Sequence, residues 1–99
     1  MALQRYGYIV KAADLEVIKH HAHIKSEQFQ MMVAGVGSVD EAILAAQEML
    51  TREVQLIELC GGFSAEDSDQ IRTAINDLVP IGRVQYSDEE RDRLTRELA

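Results

Sequence analysis

A short apolar segment followed by a helix-capping motif occurs three times along this chain of 99 residues. Each motif has Ser at its first position and an acidic residue three positions later: Ser38–Glu41, Ser64–Asp67 and Ser87–Glu90. In a capping box, the Ser side chain and the acidic side chain each accept a hydrogen bond from the other residue's backbone N–H. The sequence therefore predicts three helices, each entered directly from a strand.

Four apolar segments are the predicted strands: Tyr6–Ala12, Phe29–Val36, Val54–Cys60 and Ile81–Tyr86. The third is nearly all apolar, as expected of a strand that is covered on both faces. A further helix is predicted from Leu15 to about Ala22, because Asp14 is a suitable N-cap and Leu15, Ile18 and Ala22 share one face. The predicted order of elements is β-α-β-α-β-α-β-α.

This order predicts a single α/β domain over residues 1–99, with a four-stranded, mostly parallel sheet and a charged C-terminal helix at about residues 88–98. Two arrangements are compatible with it. One is an open three-layer sandwich with strand order 2-1-3-4. The other is half-barrel-like, with strands in sequential order, and is completed by dimerisation. The sandwich is favoured, since only it covers both faces of the sheet within one chain.

The formal net charge of −7 argues against nucleic acid and anionic membranes as partners, because both are bound through clustered Lys and Arg. No apolar run approaches the roughly 20 residues of a membrane-spanning helix, and no secretory signal is recognisable. Cys60 is the only cysteine, which is typical of a reducing compartment. We therefore expect a cytoplasmic protein. Its small core also predicts association into a homodimer or higher homo-oligomer.

The segment Cys60–Ser64 joins the third strand to a capped helix through Gly61 and Gly62. Ligands of open parallel sheets bind beyond the carboxyl ends of the strands, where helix N-termini favour anions. We therefore predict that a small anionic or polar metabolite binds there. The predicted ligand-binding residues are Gly61, Gly62, Phe63 and Ser64 of this segment. Lys11 and His20, which we expect at the same end of the sheet, complete the predicted site.

Cys60 and Glu58 are the candidate catalytic residues, and strand alternation places them on the same face. A thiol just before a helix N-terminus can have a lowered pKa and act as a nucleophile. Glu58 is a charged residue in an apolar strand, so it can be a general base. The alternatives are a buried structural cysteine and a salt bridge from Glu58 to Arg83 or Lys11.

Two other motifs predict no cofactor and no metal. Gly35-Val36-Gly37 follows a strand as in dinucleotide-binding loops, but Asp40 stands where the third glycine belongs and would repel a pyrophosphate. His20, His21 and His23 lie close together, and His20 and His23 would share one face of a helix. They lack the further ligands of a zinc site, so we interpret them as surface or pocket-rim residues.

The run Ile57–Phe63 resembles a family of short bacterial proteins known as domain of unknown function 6506. The resemblance extends back through Ser38–Glu53 and forward to Val79–Gly82, and the charged last helix lies outside it. It implies the α/β fold but no established activity. Three functions remain open: a small-molecule binding module, which is favoured, an enzyme that uses Cys60 or Glu58, and a structural homo-oligomer.

Overall fold

The computed structural model describes residues 2–99 and contains five strands and three helices. Residues 13–20 form turns, and the segments between the other elements are short. The bounds are as follows: β1 Arg5–Lys11, β2 His21–Lys25, β3 Gln30–Val36, α1 Val39–Thr51, β4 Leu56–Leu59, α2 Ala65–Ala74, β5 Ile81–Arg83 and α3 Asp88–Glu97.

The strands form one mixed sheet with the order β2-β3-β1-β4-β5. The predicted four-stranded sheet and the predicted order of elements are therefore wrong, because β2 adds a fifth strand at one edge. β2 runs antiparallel to β3, and all other neighbouring strands are parallel. The predicted helix from Leu15 to about Ala22 does not form.

Side-chain hydrogen bonds hold the turns that replace this helix. The Glu16 N–H donates to Nδ1 of His20 at 2.9 Å, and the Val17 N–H donates to the Glu41 carboxylate at 2.9 Å. The chain then enters β2 and returns into β3 through a tight turn, in which the Ser26 N–H donates to the Phe29 carbonyl at 2.8 Å. Pairing with β3 thus satisfies backbone groups that a helix would have satisfied internally.

Only the second of the three capping motifs is reciprocal as predicted. The Ser64 Oγ accepts from the Asp67 N–H, and the Asp67 carboxylate accepts from the Ser64 N–H. Before α1, Ser38 accepts from the Glu41 N–H at 3.2 Å, while the Glu41 carboxylate binds Val17 instead. Before α3, Ser87 accepts from the Glu90 N–H.

Both α1 and α2 lie on the same side of the sheet. α1 packs against β3 and β1, and α2 packs against α1 and β5. Right-handed crossovers explain this arrangement, since β3-α1-β4 and β4-α2-β5 both move across the sheet in the same direction. The core lies between these helices and the sheet, and its buried apolar residues include Ile9, Met32, Val36, Ala46, Met49, Ile57, Leu59, Phe63, Ile71 and Ile75.

The opposite side of the sheet carries no helix, and we call it the open face. Side chains alternate along each strand, so the half-buried residues of β1, β3 and β4 point to this side while the buried ones enter the core. The predicted three-layer sandwich is therefore wrong. The open face consists of Tyr6, Tyr8, Val10, Ala22, Ile24, Met31, Val33, Leu56 and Glu58, with Gly82 beside Glu58.

Helix α3 is exposed along its whole length. The i,i+4 pairs that its sequence allows, Glu89–Arg93 and Asp92–Arg96, do not form. Instead, Arg93 pairs with Glu90 at 3.1 Å and Arg91 lies 3.8 Å from Asp88, both at i,i+3 spacing.

Candidate functional site

The double-glycine turn lies at the exposed surface between β4 and α2. Both glycines are exposed, and the Phe63 N–H donates to the Cys60 carbonyl at 3.2 Å. Phe63, one of the predicted ligand-binding residues, is only 1% exposed and belongs to the core. Its side chain therefore anchors the turn from below and is not available to a ligand.

An internal carboxylate lies at the N-terminus of α2, where we expected a bound anion. Asp67 Oδ2 accepts from the Ser64 N–H at 2.9 Å, and Lys11 Nζ lies 3.6 Å from the same oxygen. The hydrogen bond from the Ser64 backbone holds the pKa of Asp67 below its ordinary value, against a smaller opposing effect of burial. The predicted ligand groups Ser64 and Lys11 are thus brought together, but both already bind Asp67.

Glu58 lies on the open face and has a neutral partner. The Tyr6 hydroxyl donates to Glu58 Oε1. Burial raises the pKa of the Tyr6 phenol, and the hydrogen bond to Glu58 raises it further. The predicted salt bridges of Glu58 do not form: Arg83 donates to the Phe63 carbonyl at 3.4 Å, and Lys11 pairs with Asp67.

Gly82 gives the Glu58 side chain its room. A Cβ at position 82 would lie 3.4 Å from Glu58 Cγ and 3.5 Å from Oε2. The carboxylate therefore lies over the backbone of β5 and reaches across to Tyr6 on β1.

Cys60 follows β4, is half-buried and packs against the hydrophobic core. Its Sγ accepts a hydrogen bond from the Lys11 N–H at 3.3 Å. Burial raises the pKa of the neighbouring Tyr8, and the proximity of Cys60 and Tyr86 raises it further. Cys60 and Tyr8 are therefore neighbours, while Glu58 has Tyr6 as its partner.

His20 is not brought near Cys60. Its carbonyl accepts from the Gly35 N–H at 2.7 Å, which places it at the β2 edge of the sheet. Three strand spacings, about 14 Å, separate this edge position from β4. His21 and His23 lie on β2 with their side chains on the helix-covered side, opposite Ala34 and Met32. Within residues 2–99, no group of three His, Cys, Asp or Glu side chains is placed to hold a metal.

A cavity lies at a place that the sequence did not indicate. β2 extends the sheet beyond the reach of α1, which leaves a groove of about 430 Å³ between them. We call it the α1–β2 groove. The sequence analysis missed it, since β2 was interpreted as part of a helix and a connection. Its lining is Val17, Ile18, His21, Ala22, His23, Met32, Val33, Ala34, Leu44, Ala45, Glu48, Met49 and Arg52.

Fold and surfaces together define a small α/β protein whose mixed, mostly parallel sheet is covered by helices on one side only. The chain belongs to DUF6506, a family of unknown function, whose family model matches residues 4–99. The match includes α3, which lies outside the likeness carried by the sequence motifs. No curated protein and no solved structure matches the chain significantly. None of the helices described is long and apolar enough to cross a membrane.

Proposed function

We propose that this protein is a small-molecule binding module and that its ligand occupies the α1–β2 groove. The observation that carries the proposal is the cavity itself. Its volume of about 430 Å³ lies within the range of small-molecule sites, and most of its lining is apolar. The double-glycine turn is a weaker candidate, because Asp67 already binds the groups that would hold an anion there.

The polar groups at the groove indicate the chemistry of the ligand. His21 and His23 border it on the β2 side, and Arg52 borders it on the α1 side. Arg52 pairs with Glu48 at 3.4 Å, but both side chains are more than half exposed, so this pair is weak and open to exchange. An apolar molecule that carries one carboxylate satisfies both the apolar floor and these donors.

Nuclear magnetic resonance of the labelled full chain tests the proposal directly. Octanoate, phenylacetate and indole-3-acetate are suitable probes, since each combines an apolar body with one carboxylate. We expect at least one of them to shift the amide signals of β2 and of α1 around Ala45, in a saturable manner. Signals of β5 and α3, which do not border the groove, should stay in place.

A matched pair of variants locates the site. Leu44 lines the groove and is 60% exposed, so Leu44→Glu adds a negative charge at the apolar wall without disturbing the core. Gln47→Glu adds the same charge on an exposed part of α1 outside the groove. Leu44→Glu should weaken probe binding by about tenfold or more, while Gln47→Glu should leave it unchanged. Equal affinity of both variants, or no shift with any probe, would refute the proposal.

A second candidate function is nucleophilic catalysis by Cys60. It is favoured by the Lys11 N–H, which donates a hydrogen bond to Cys60 Sγ. The test is the rate of alkylation by iodoacetamide at neutral pH. A reactive thiol should be alkylated faster than free cysteine, and a slower rate removes this candidate.

A further inference from the structure

We propose that the open face is the interface of a homodimer, in which the sheets of two copies pack face to face. The open face and the α1–β2 groove lie on opposite sides of the sheet, and Ala22 and Val33 of the open face also border the groove. The inference does not depend on the proposed function. It rests on the size of the face, on its chemistry and on the failure of the alternatives to cover it.

The size of the open face suits a second copy. Its strands are three to seven residues long. At about 3.3 Å per residue and about 4.8 Å between strands, they form a flat surface of about 400 Å². Side chains increase the accessible area of such a surface above this projected value, so two faces in contact bury more than about 800 Å², which approaches the roughly 1,000 Å² of a specific interface.

The chemistry of the face suits burial. Aromatic and aliphatic side chains cover it, including Tyr6, Tyr8, Met31 and Val33, and the net charge of −7 arises elsewhere on the chain. Glu58 is the only carboxylate on the face, and it already accepts a hydrogen bond from Tyr6. Aligned packing of two sheets about 10 Å apart is a standard arrangement, and a two-fold axis makes the face complementary to itself.

Other occupants fit less well. Helix α3 is ten residues, so it is about 15 Å long and can cover only a minor part of five strands. Its one apolar residue is Leu94, followed by Leu98 at the C-cap, and its other nine residues are charged or polar. An anionic membrane is disfavoured by the negative charge of the chain and by the carboxylate in the middle of the face.

The mass of the full chain in solution tests the proposal. We expect light scattering at about 50 μM to give twice the monomer mass of 11.1 kDa. Met31→Glu places a charge in the open face on β3, and symmetry brings two such charges into one interface. This variant should weaken the dimer by about 100-fold or more and run as a monomer. Far-ultraviolet circular dichroism identifies any loss of fold.

A second pair of variants separates the open face from the groove. Ile24 and Leu44 are nearly equally exposed in the single chain, at 58% and 60%, but Ile24 lies on the open face and Leu44 in the groove. Ile24→Glu should weaken the dimer and Leu44→Glu should not.

Three results would overturn the proposal. One is a wild-type chain that stays monomeric at this concentration. This result would refute the homodimer even if a different partner covers the open face. Another is a folded Met31→Glu chain that remains dimeric. The third is a dimer that is lost in Leu44→Glu but retained in Ile24→Glu, which would place the contact in the groove.

Discussion

Gly37 and Gly62 lie in the turns before two helices. Only at Gly37 do the surrounding atoms leave no room for a side chain. A Cβ at Gly37 would lie 2.7 Å from the backbone oxygen of Leu15, which is closer than real contacts allow. A Cβ at Gly62 would meet Cys60 Sγ at 3.4 Å, an ordinary contact. The glycine pattern that resembles a dinucleotide loop is thus explained by close packing of two loops.

We predict that Gly37→Ala lowers the free energy of unfolding by about 1–3 kcal/mol, because a backbone segment must shift to admit the methyl group. Gly62→Ala should change it by less than about 1 kcal/mol and serves as the matched control. Urea denaturation of both variants measures the difference. Equal effects would show that the loop of Leu15 moves freely.

Asp67 predicts a dependence of stability on pH. Its pKa in the folded chain lies below the ordinary value, since the Ser64 N–H binds the charged form. Its stabilising contribution is therefore complete above the unfolded pKa of about 3.9 and is lost as pH falls through the lower folded value. We expect Asp67→Asn to be less stable than wild type at pH 7 and to lose less stability on acidification below about pH 4.

The control for this prediction is Asp69→Asn on the same helix. Asp69 is 72% exposed and pairs only with Arg72, so its removal should have a small effect. Thermal unfolding of the three chains across the acid range provides the measurement. Parallel curves for wild type and Asp67→Asn would contradict the assignment.

Helices α2 and α3 are both ten residues long, yet only α2 is held by packing. Ser68 and Ile71 of α2 are buried, whereas α3 buries no residue and depends on its Ser87 cap and exposed ion pairs. Short helices without tertiary contacts are marginal in water.

We therefore predict that the amide hydrogens of α3 exchange with solvent nearly as fast as those of an unfolded chain, while those of α2 are protected. Hydrogen exchange followed by mass spectrometry or magnetic resonance measures both helices in one sample. Comparable protection in the two helices would mean that α3 packs against a surface, such as a second copy.

Local signals predicted the three observed helices, because each carries a Ser cap whose partner lies within the motif. The same kind of signal failed for Leu15–Ala22. Apolar spacing and a lone Asp14 favoured a helix there, but pairing with β3 is a long-range interaction that no local pattern reveals. The apolar residues Ala22 and Ile24, which alternate with polar ones, were the only sequence signal of β2. Because β2 has only five residues, this alternation is too short to predict a strand.

The surroundings of the candidate residues depended on the same distant pairings. Alternation along β4 predicts one face for Glu58 and Cys60, and the structure places Glu58 opposite the buried Ile57 and Leu59. It could not predict that Tyr6 would be the partner of Glu58, since the register of β1 against β4 determines that contact. The α1–β2 groove could not be predicted for a similar reason. It exists because β2 pairs with β3 and extends the sheet beyond α1.

At the scale of the whole molecule, the sheet is covered on one side by α1 and α2 and is bare on the other. If two copies cover each other, part of the stabilising free energy comes from association. We predict that the thermal midpoint of the wild-type chain rises with protein concentration, whereas that of Met31→Glu does not. Differential scanning fluorimetry over a wide concentration range measures this, and a constant midpoint for both chains would contradict it.

The central strand of the sheet is also the first in the chain, and this order affects folding. Arg5 pairs with Gln30 and Tyr6 pairs with Leu56, so β1 acquires its second neighbour only after β4 has been synthesised. Only the β2–β3 hairpin joins strands adjacent in sequence through a tight turn. We expect this hairpin to form first during synthesis. β1 should stay without its full set of neighbours until β4 has been synthesised, so the centre of the sheet should form late.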